Sequence, residues 1–207
     1  MTEEIKTIKE VSEHRIKEKG SLFIALAFPV DSKERAEEIL HNLRRKYFDA
    51  THHCYAYKLK GDEIKYSDDG EPSSTAGIRI LKGIEHFDLS EVVVIVIRYY
   101  GGTKLGVGPL GKAYYEAAHD CLEKAEKAEK HAYRFIKIEY PEEFTSQVYH
   151  LLGQSEVRIK ESGFSERPFI LLHIKAGVVK VFTEQLKNQT KGGGNVEIMG
   201  EIEYLAR

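Results

Sequence analysis

A run of six β-branched residues, 92–97, constrains the fold of this chain more than any other segment. β-branched side chains favour extended backbone, and a strand that is apolar at every position must be covered on both of its faces. We therefore predict a strand over residues 91–100 that lies at the centre of a covered sheet.

The length and composition of the chain indicate two ordinary folded domains. Its 207 residues are 42% hydrophobic, which is sufficient for packed cores. The longest apolar run is too short to cross a bilayer, and the N-terminus lacks the basic-then-apolar order of a signal peptide. We expect a cytoplasmic protein with no membrane partner.

Apolar periodicity and turn residues predict alternating strands and helices in a first domain, residues 1–130. Asp31 or Ser32 is suited to cap the first helix, and Ala113, Tyr114 and Ala117 form an inner stripe on the last one. The predicted strands are residues 20–30, 53–59, 64–67 and 91–100, and the predicted helices are residues 31–48, 76–87 and 109–130. The charged end of the last helix marks the domain boundary.

The second predicted domain, residues 131–207, has the pattern of a ferredoxin-like sandwich. Strands are expected at residues 133–140, 157–162, 169–175 and 196–205, and helices at residues 141–154 and 178–190. This β-α-β-β-α-β order is that of the split β-α-β fold. The predicted fold class of the whole chain is therefore α+β.

The charge balance limits how the chain can bind nucleic acid. It contains 31 Lys+Arg against 33 Asp+Glu, a formal net charge of −2. Sequence-independent binding to nucleic acid normally rests on a clear basic excess, so any RNA contact must come from a local patch.

Two glycine-rich segments flank the apolar run and form the candidate site. The first motif, residues 68–77, reads D-D-G-E-P-S-S-T-A-G, and the second motif, residues 98–108, reads R-Y-Y-G-G-T-K-L-G-V-G. Glycine permits tight turns and close approaches, and the charged and hydroxyl residues between the glycines could hold a polar ligand. The same residue types also build tight turns, so a purely structural role stays open.

The second motif has the composition of an anion-binding loop. Glycine amides at a helix N-terminus, together with Lys104 and Arg98, are suited to hold a phosphate. Alternatively, Arg98 pairs with a carboxylate of the first motif, which is Asp68, Asp69 or Glu71. The candidate nucleic-acid or anion-binding residues are Arg98, Tyr99, Tyr100, Gly101, Gly102, Lys104 and Lys112.

The first motif combines carboxylates with hydroxyl groups. Carboxylate oxygens suit magnesium, but Asp-Asp-Gly is also typical of a tight turn, which is the interpretation that we adopt. The hydroxyl groups have no activating partner in a local motif, and we expect them to cap a helix. The residues of this motif loop are Asp68, Asp69, Gly70, Glu71, Ser73, Ser74 and Thr75.

Spacing disfavours the common cofactor and metal sites. Residues 106–111 match G-x-G-x-x-G, but five residues separate the preceding strand from the first glycine, and a charged helix follows where a second strand is required. Cys54 and Cys121 form no Cys-x-x-Cys pair, and we expect both to be buried. We predict no metal and no cofactor, and we assign no catalytic residue.

The two motifs resemble those of the YigZ/IMPACT family, which read approximately D-D-G-E-P-[SG]-x-T-A-G and V-R-Y-[FY]-G-G-x-K-L-G-x-G-x-L. Residues 68–77 and 97–110 match them, and residues 53–57 are a weaker third match. Pro109 is a departure, because relatives often have glycine there and proline has no amide hydrogen to offer a ligand.

This resemblance implies a more specific architecture. The N-terminal domain would be an α/β sandwich similar to the second domain of a small-subunit ribosomal protein and to domain four of elongation factor G. The C-terminal domain would be similar to domain five of that factor. Both relatives act on ribosomes, and eukaryotic family members are associated with translational control, although fold similarity alone does not establish a function.

Three hypotheses of function follow. The first is a non-enzymatic, translation-associated regulator that binds RNA or the ribosome, with Arg98, Lys104 and Lys112 on phosphates and Tyr99 or Tyr100 stacked on bases. The second is an enzyme that acts on a phosphorylated small molecule, with a carboxylate of the first motif as base or metal ligand. The third is a protein-interaction module whose motif surface binds a protein partner.

Overall fold

Strands and helices alternate along residues 3–206, the part of the chain that the computed structural model describes. The strands are β1 (Glu4–Ile8), β2 (Ser12–Glu18), β3 (Ser21–Pro29), β4 (His52–Lys58), β5 (Ile64–Ser67), β6 (Val92–Tyr99), β7 (Lys127–Glu139), β8 (Val157–Phe164), β9 (Pro168–Lys175) and β10 (Asn195–Ala206). The helices are α1 (Lys33–Lys46), α2 (Gly77–His86), α3 (Val107–Lys124), α4 (Thr145–Gln154) and α5 (Val179–Gln189). The α+β class is confirmed.

The chain divides into two units. The N-terminal unit is Ile5–Glu129, and the C-terminal unit runs from Lys130 onward and includes the described residues that precede Ile5. Within residues 3–206, no helix combines the length and the apolar character that crossing a membrane requires.

The sheet of the N-terminal unit is built around β6. Its strand order is β2-β3-β6-β4-β5, and each neighbouring pair is antiparallel. Every residue of β6 before Tyr99 is buried. The predicted central, covered strand is thus confirmed.

Side chains of β6 alternate between two cores. Val94 packs with residues of α2 and α3, whereas Ile95 packs with residues of α1 on the other face. Because successive strand residues point to opposite faces, the same alternation carries Arg98 towards α2 and α3 and Tyr99 towards α1. The alternation along β6 therefore determines on which face of the sheet each of these two residues of the second motif lies.

The C-terminal unit has the predicted β-α-β-β-α-β order, formed by β7, α4, β8, β9, α5 and β10. The strands are arranged β10-β7-β9-β8, with antiparallel neighbours. The fourth strand of the unit thus lies beside the first, as in the split β-α-β arrangement. Ile136, Leu172 and Phe182 are among the residues that form its core.

Sequence reasoning missed two strands and placed the end of one helix wrongly. No strand was predicted before residue 20, yet β1 and β2 are present; β2 contains one aliphatic residue, Ile16, and is held at the sheet edge by β3. The predicted helix 109–130 ends at Lys124, and β7 begins at Lys127. The Glu-Lys-Ala repeat favours a helix locally, but strand pairing at its end, as of Lys130 with Ala206, overrides that preference.

Shortening a central residue of β6 should strongly destabilise the protein. Ile95 is 0% exposed, and Ile95→Ala removes buried methyl groups and leaves a cavity, so we expect a loss of about 2–5 kcal/mol. Val11→Ala is the control, because Val11 is 53% exposed and should change stability little. Urea denaturation measures both. Equal effects of the two substitutions would contradict the central position of Ile95.

Candidate functional site

A buried ion pair between Arg98 and Glu71 joins the two motifs. The Arg98 Nη1 atom lies 2.6 Å from Glu71 Oε1, and the side chains are 6% and 4% exposed. The Tyr114 hydroxyl also donates to Glu71 Oε1, at 2.7 Å, and Arg98 Nη2 donates to Ser21 Oγ at 3.2 Å. Of the two roles left open for Arg98, the structure shows the pairing with a carboxylate of the first motif.

The second motif begins against the turn between β2 and β3. The Gly101 amide donates to Ser21 Oγ at 3.2 Å. A Cβ atom on residue 101 would lie 1.9 Å from the carbonyl carbon of Gly20, which itself has a φ of +85°. No side chain fits between these two backbones, so the close approach requires glycine at position 101.

Asp68 organises the first motif through its carboxylate. Oδ1 accepts hydrogen bonds from the amides of Ala76 and Gly77, at 2.9 and 2.8 Å, and Oδ2 accepts one from the Ser74 amide at 2.8 Å. These amides lie at the start of α2. A carboxylate satisfies the free amides and also interacts favourably with the helix dipole at this end.

The expectation that the hydroxyl groups of the first motif cap this helix was wrong. Ala76 precedes α2 and provides no side-chain cap, and the Thr75 hydroxyl donates to the Pro72 carbonyl. Ser73 and Ser74 are exposed. The cap comes from Asp68, eight residues before Ala76, a distance at which local capping patterns give no signal.

Asp69 is also fully engaged. Arg44 Nη2 donates to its Oδ1 at 2.6 Å, and the His53 amide donates to its Oδ2 at 2.7 Å. Asp69 and Gly70 have φ values of +43° and +88°, a left-handed turn. All three carboxylates of the motif therefore hold protein groups, which agrees with the tight-turn interpretation.

Cys54 lies beside the hydrogen bonds of the ion pair. The Cys54 Sγ donates to the Asp68 carbonyl at 3.0 Å and lies 3.3 Å from the Tyr114 hydroxyl, which donates to Glu71. Burial strongly raises the pKa of both Cys54 and Tyr114. Cys54 is therefore a thiol at neutral pH, not a thiolate nucleophile. Cys121 is buried as well, and burial raises its pKa to about 11.

The two tyrosines of the second motif diverge. Tyr99 packs against the α1 core, and its hydroxyl donates to Asp49 Oδ1 at 2.9 Å. Tyr100 is 46% exposed, and its ring centroid lies 5.5 Å from Arg98 Cζ. Only Tyr100 presents a large part of its ring to solvent.

The remaining candidate residues lie at the surface. Gly102 and Lys104 are exposed in the loop that leads to α3. Lys112 is on α3, and its Nζ lies 3.5 Å from Glu116 Oε1. The structure thus separates the candidates into a buried group around Arg98 and an exposed group around Lys104.

Sequence reasoning missed three partners of this network. Ser21 and Arg44 lie outside both motifs, in β3 and α1, and nothing in their local sequence marks them. Tyr114 was predicted to face inward, but its hydrogen-bond partner was not predicted. A buried tyrosine hydroxyl normally needs such a partner, so the inward position of Tyr114 could have indicated that it joins a polar network.

Comparison with known proteins identifies the family. Residues 19–122, which contain both motifs, match the sequence model of the Impact N-terminal domain. The chain is 30% identical to IMPACT family member YvyE of Bacillus subtilis over 97% of its length and 93% of that protein. It is also 30% identical to IMPACT family member YigZ of Escherichia coli, over 84% and 87% of the two lengths. The chain belongs to the IMPACT family.

The resemblance seen in the sequence is thereby confirmed. The fold is also similar to a crystal structure of a hypothetical protein, with a TM-score of 0.70 and 26% identity over 97% of this chain and 100% of that one. Family membership explains why both motifs are present, but it does not identify a biochemical role.

Removing one partner of the buried ion pair should be costly. Glu71→Ala leaves the Arg98 guanidinium buried without its carboxylate, and we expect a loss of about 3–5 kcal/mol in the free energy of unfolding. Urea denaturation measures it. Glu116→Ala is the control: Glu116 pairs with Lys112 at a side-chain exposure of 48%, and exposed pairs contribute about 0–1 kcal/mol. A Glu71→Ala cost no larger than the control would show that the pair is not buried in solution.

His53 should make stability depend on pH. Burial lowers the pKa of His53 below the ordinary 6.5, and the nearby Arg44 and His52 lower it further. The Asp69 carboxylate acts in the opposite direction but does not cancel the shift. The unfolded chain therefore binds a proton at His53 more readily than the folded protein does. The stability associated with the neutral His53 ring is fully present above pH 6.5, and it is lost as the pH falls from 6.5 towards the lower pKa of the folded protein. We expect the loss of stability between pH 7 and pH 5 to be smaller in His53→Gln. Parallel pH dependences in both proteins would contradict this.

Proposed function

We propose that this protein is a non-enzymatic, translation-associated regulator that binds RNA or the ribosome. The binding surface is the exposed part of the second motif together with the first turns of α3. The observation that carries the proposal is that the fold explains most motif residues but leaves the Lys104 side chain exposed, without a hydrogen-bond or ion-pair partner among residues 3–206.

The structural residues of the motifs are readily separated from the others. Asp68 caps α2, Glu71 pairs with Arg98, and Gly101 lies against Gly20. Gly102 and Gly106 have φ values of +84° and +80°, a conformation that favours glycine. Each of these identities follows from folding alone.

Gly108 lies exposed in the first turn of α3. It precedes Pro109, and the proline ring crowds a preceding side chain in the helical conformation, so glycine also suits the fold here. Apart from its own helix and chain neighbours, no atom of the described residues is within 4 Å of where its Cβ would be. The backbone at this position is therefore open to the close approach of a ligand.

The start of α3 is also suited to an anion. Its N-cap residue, Gly106, provides no side-chain cap, and the first turn carries no acidic residue. Free amides and the positive end of the helix dipole favour a phosphate here. Lys104, two residues before the cap, supplies an exposed positive charge, and Tyr100 supplies an exposed ring for stacking.

A cavity of about 310 Å³ borders the same turn. It lies between the end of β2 and the first three turns of α3, and it is large enough for part of a nucleotide. Its lining residues are Glu18, Lys19, Gly108, Pro109, Lys112, Ala113 and Glu116.

The link to translation rests on architecture. Membership of the IMPACT family, together with the β-α-β-β-α-β order of the C-terminal unit, supports the proposed similarity to the ribosomal-protein domain and to domains four and five of elongation factor G. The engagement of all three carboxylates of the first motif by protein groups favours binding over acid-base catalysis.

RNA affinity should depend on Lys104 and Gly108. We expect Lys104→Ala to remove about 0.5–1.5 kcal/mol of binding free energy and to flatten the salt dependence by about 0.7 in logarithmic slope. Gly108→Ala should weaken binding, and its thermal unfolding midpoint is measured alongside to separate a lost ligand contact from a loss of stability, because alanine before Pro109 is crowded in a helix. Fluorescence anisotropy with single-stranded RNA and cosedimentation with ribosomes measure these effects.

The matched control is Lys180→Ala, an exposed lysine on α5 whose loss changes the net charge equally. We expect its RNA affinity to be unchanged. Absence of binding by the parent protein, or equal binding by all variants, would overturn the proposal.

A further inference from the structure

We propose that His119, Asp120 and Glu123 form a binding site for a divalent transition-metal ion, with Zn²⁺ as the best-suited ion. These residues lie on α3, towards the end opposite the second motif. Each offers one donor atom, and the three donor atoms lie within 4.8 Å of one another. The proposal is independent of RNA binding.

The spacing of two donors already matches metal coordination. His119 Nδ1 and Asp120 Oδ1 are 3.2 Å apart, a hydrogen-bond distance that an ion between them would replace by two coordination bonds. Two ligands at about 2.1 Å from one ion, with an angle of about 90–110°, are separated by about 3.0–3.4 Å. One imidazole with two carboxylates is a donor set for Zn²⁺, Co²⁺ or Ni²⁺, whereas Mg²⁺ and Ca²⁺ favour oxygen alone.

The His119 ring is held in place by aromatic neighbours. Its centroid lies 4.9 Å from that of His86, 5.1 Å from that of Phe87 and 5.7 Å from that of Tyr115. A ring packed on several sides loses little further freedom when it binds an ion, so the entropic cost of coordination is low.

A second imidazole lies beside the Asp120 carboxylate. Lys124 Nζ lies 2.9 Å from His14 Nδ1, and an ammonium group can only donate, so Nδ1 is the acceptor and the ring proton is on Nε2. That Nε2 lies 3.6 Å from Asp120 Oδ2, slightly beyond hydrogen-bond distance. A small shift of either side chain would let His14 support the carboxylate from behind, as residues next to metal ligands commonly do.

The proposed site has an open side. Glu123 is exposed, and His119 and Asp120 are half-buried. Three protein donors leave a fourth position to solvent or to another ligand, which is typical of exchangeable sites and not of closed structural ones.

Zinc titration of the tag-free, chelator-treated full chain tests the proposal. We expect one Zn²⁺ per chain by calorimetry, and Co²⁺ to give visible absorption bands from nitrogen and oxygen ligands. His119→Gln and Glu123→Gln should each lower the affinity by at least about tenfold. Because Glu123 is exposed, Glu123→Gln tests the site even if His119→Gln disturbs the ring packing.

His150→Gln is the control, because His150 is an exposed histidine on α4 whose ring contacts Gln154. Its Zn²⁺ affinity should equal that of the parent protein. The proposal is overturned if the parent chain binds no Zn²⁺, or if Glu123→Gln binds it as tightly as the parent.

Discussion

The buried pair of Arg98 and Glu71 is the interaction on which the arrangement of both motifs depends. Removing two charges from water is costly, and the cost is offset only when each charged group has well-placed partners. Glu71 receives Arg98 and Tyr114, and Arg98 also reaches Ser21. Strand β6, helix α3, the first motif and the turn before β3 must therefore adopt compatible positions together.

Much of the fold could be predicted because periodic apolar patterns extend over whole elements. The uniformly apolar run 92–97 indicated the central position of β6, and the C-terminal elements follow the predicted order. The failures have a common cause. The paired part of β7 near His131 and the polar strand β2 are stabilised by neighbouring strands distant in sequence, so local propensity gives the wrong answer or none.

The candidate site was predictable in composition but not in orientation. Both motifs were recognised from glycine and charge, yet only the alternation along β6 separates buried Arg98 from Tyr99 on the opposite face. Likewise, Asp68 reaches α2 across a folded turn, and Tyr114 contributes its hydroxyl from another helix. Such contacts depend on tertiary geometry, which residue spacing does not encode.

The loop before α3 is fixed at both of its ends. Gly101 is anchored on the turn before β3, and the Leu110 amide donates to the Gly106 carbonyl at 3.0 Å as α3 begins. The short segment between them has little conformational freedom left to lose. A partner that bound there would meet a loop whose ends are already fixed, so binding would cost less conformational entropy than binding to a free loop.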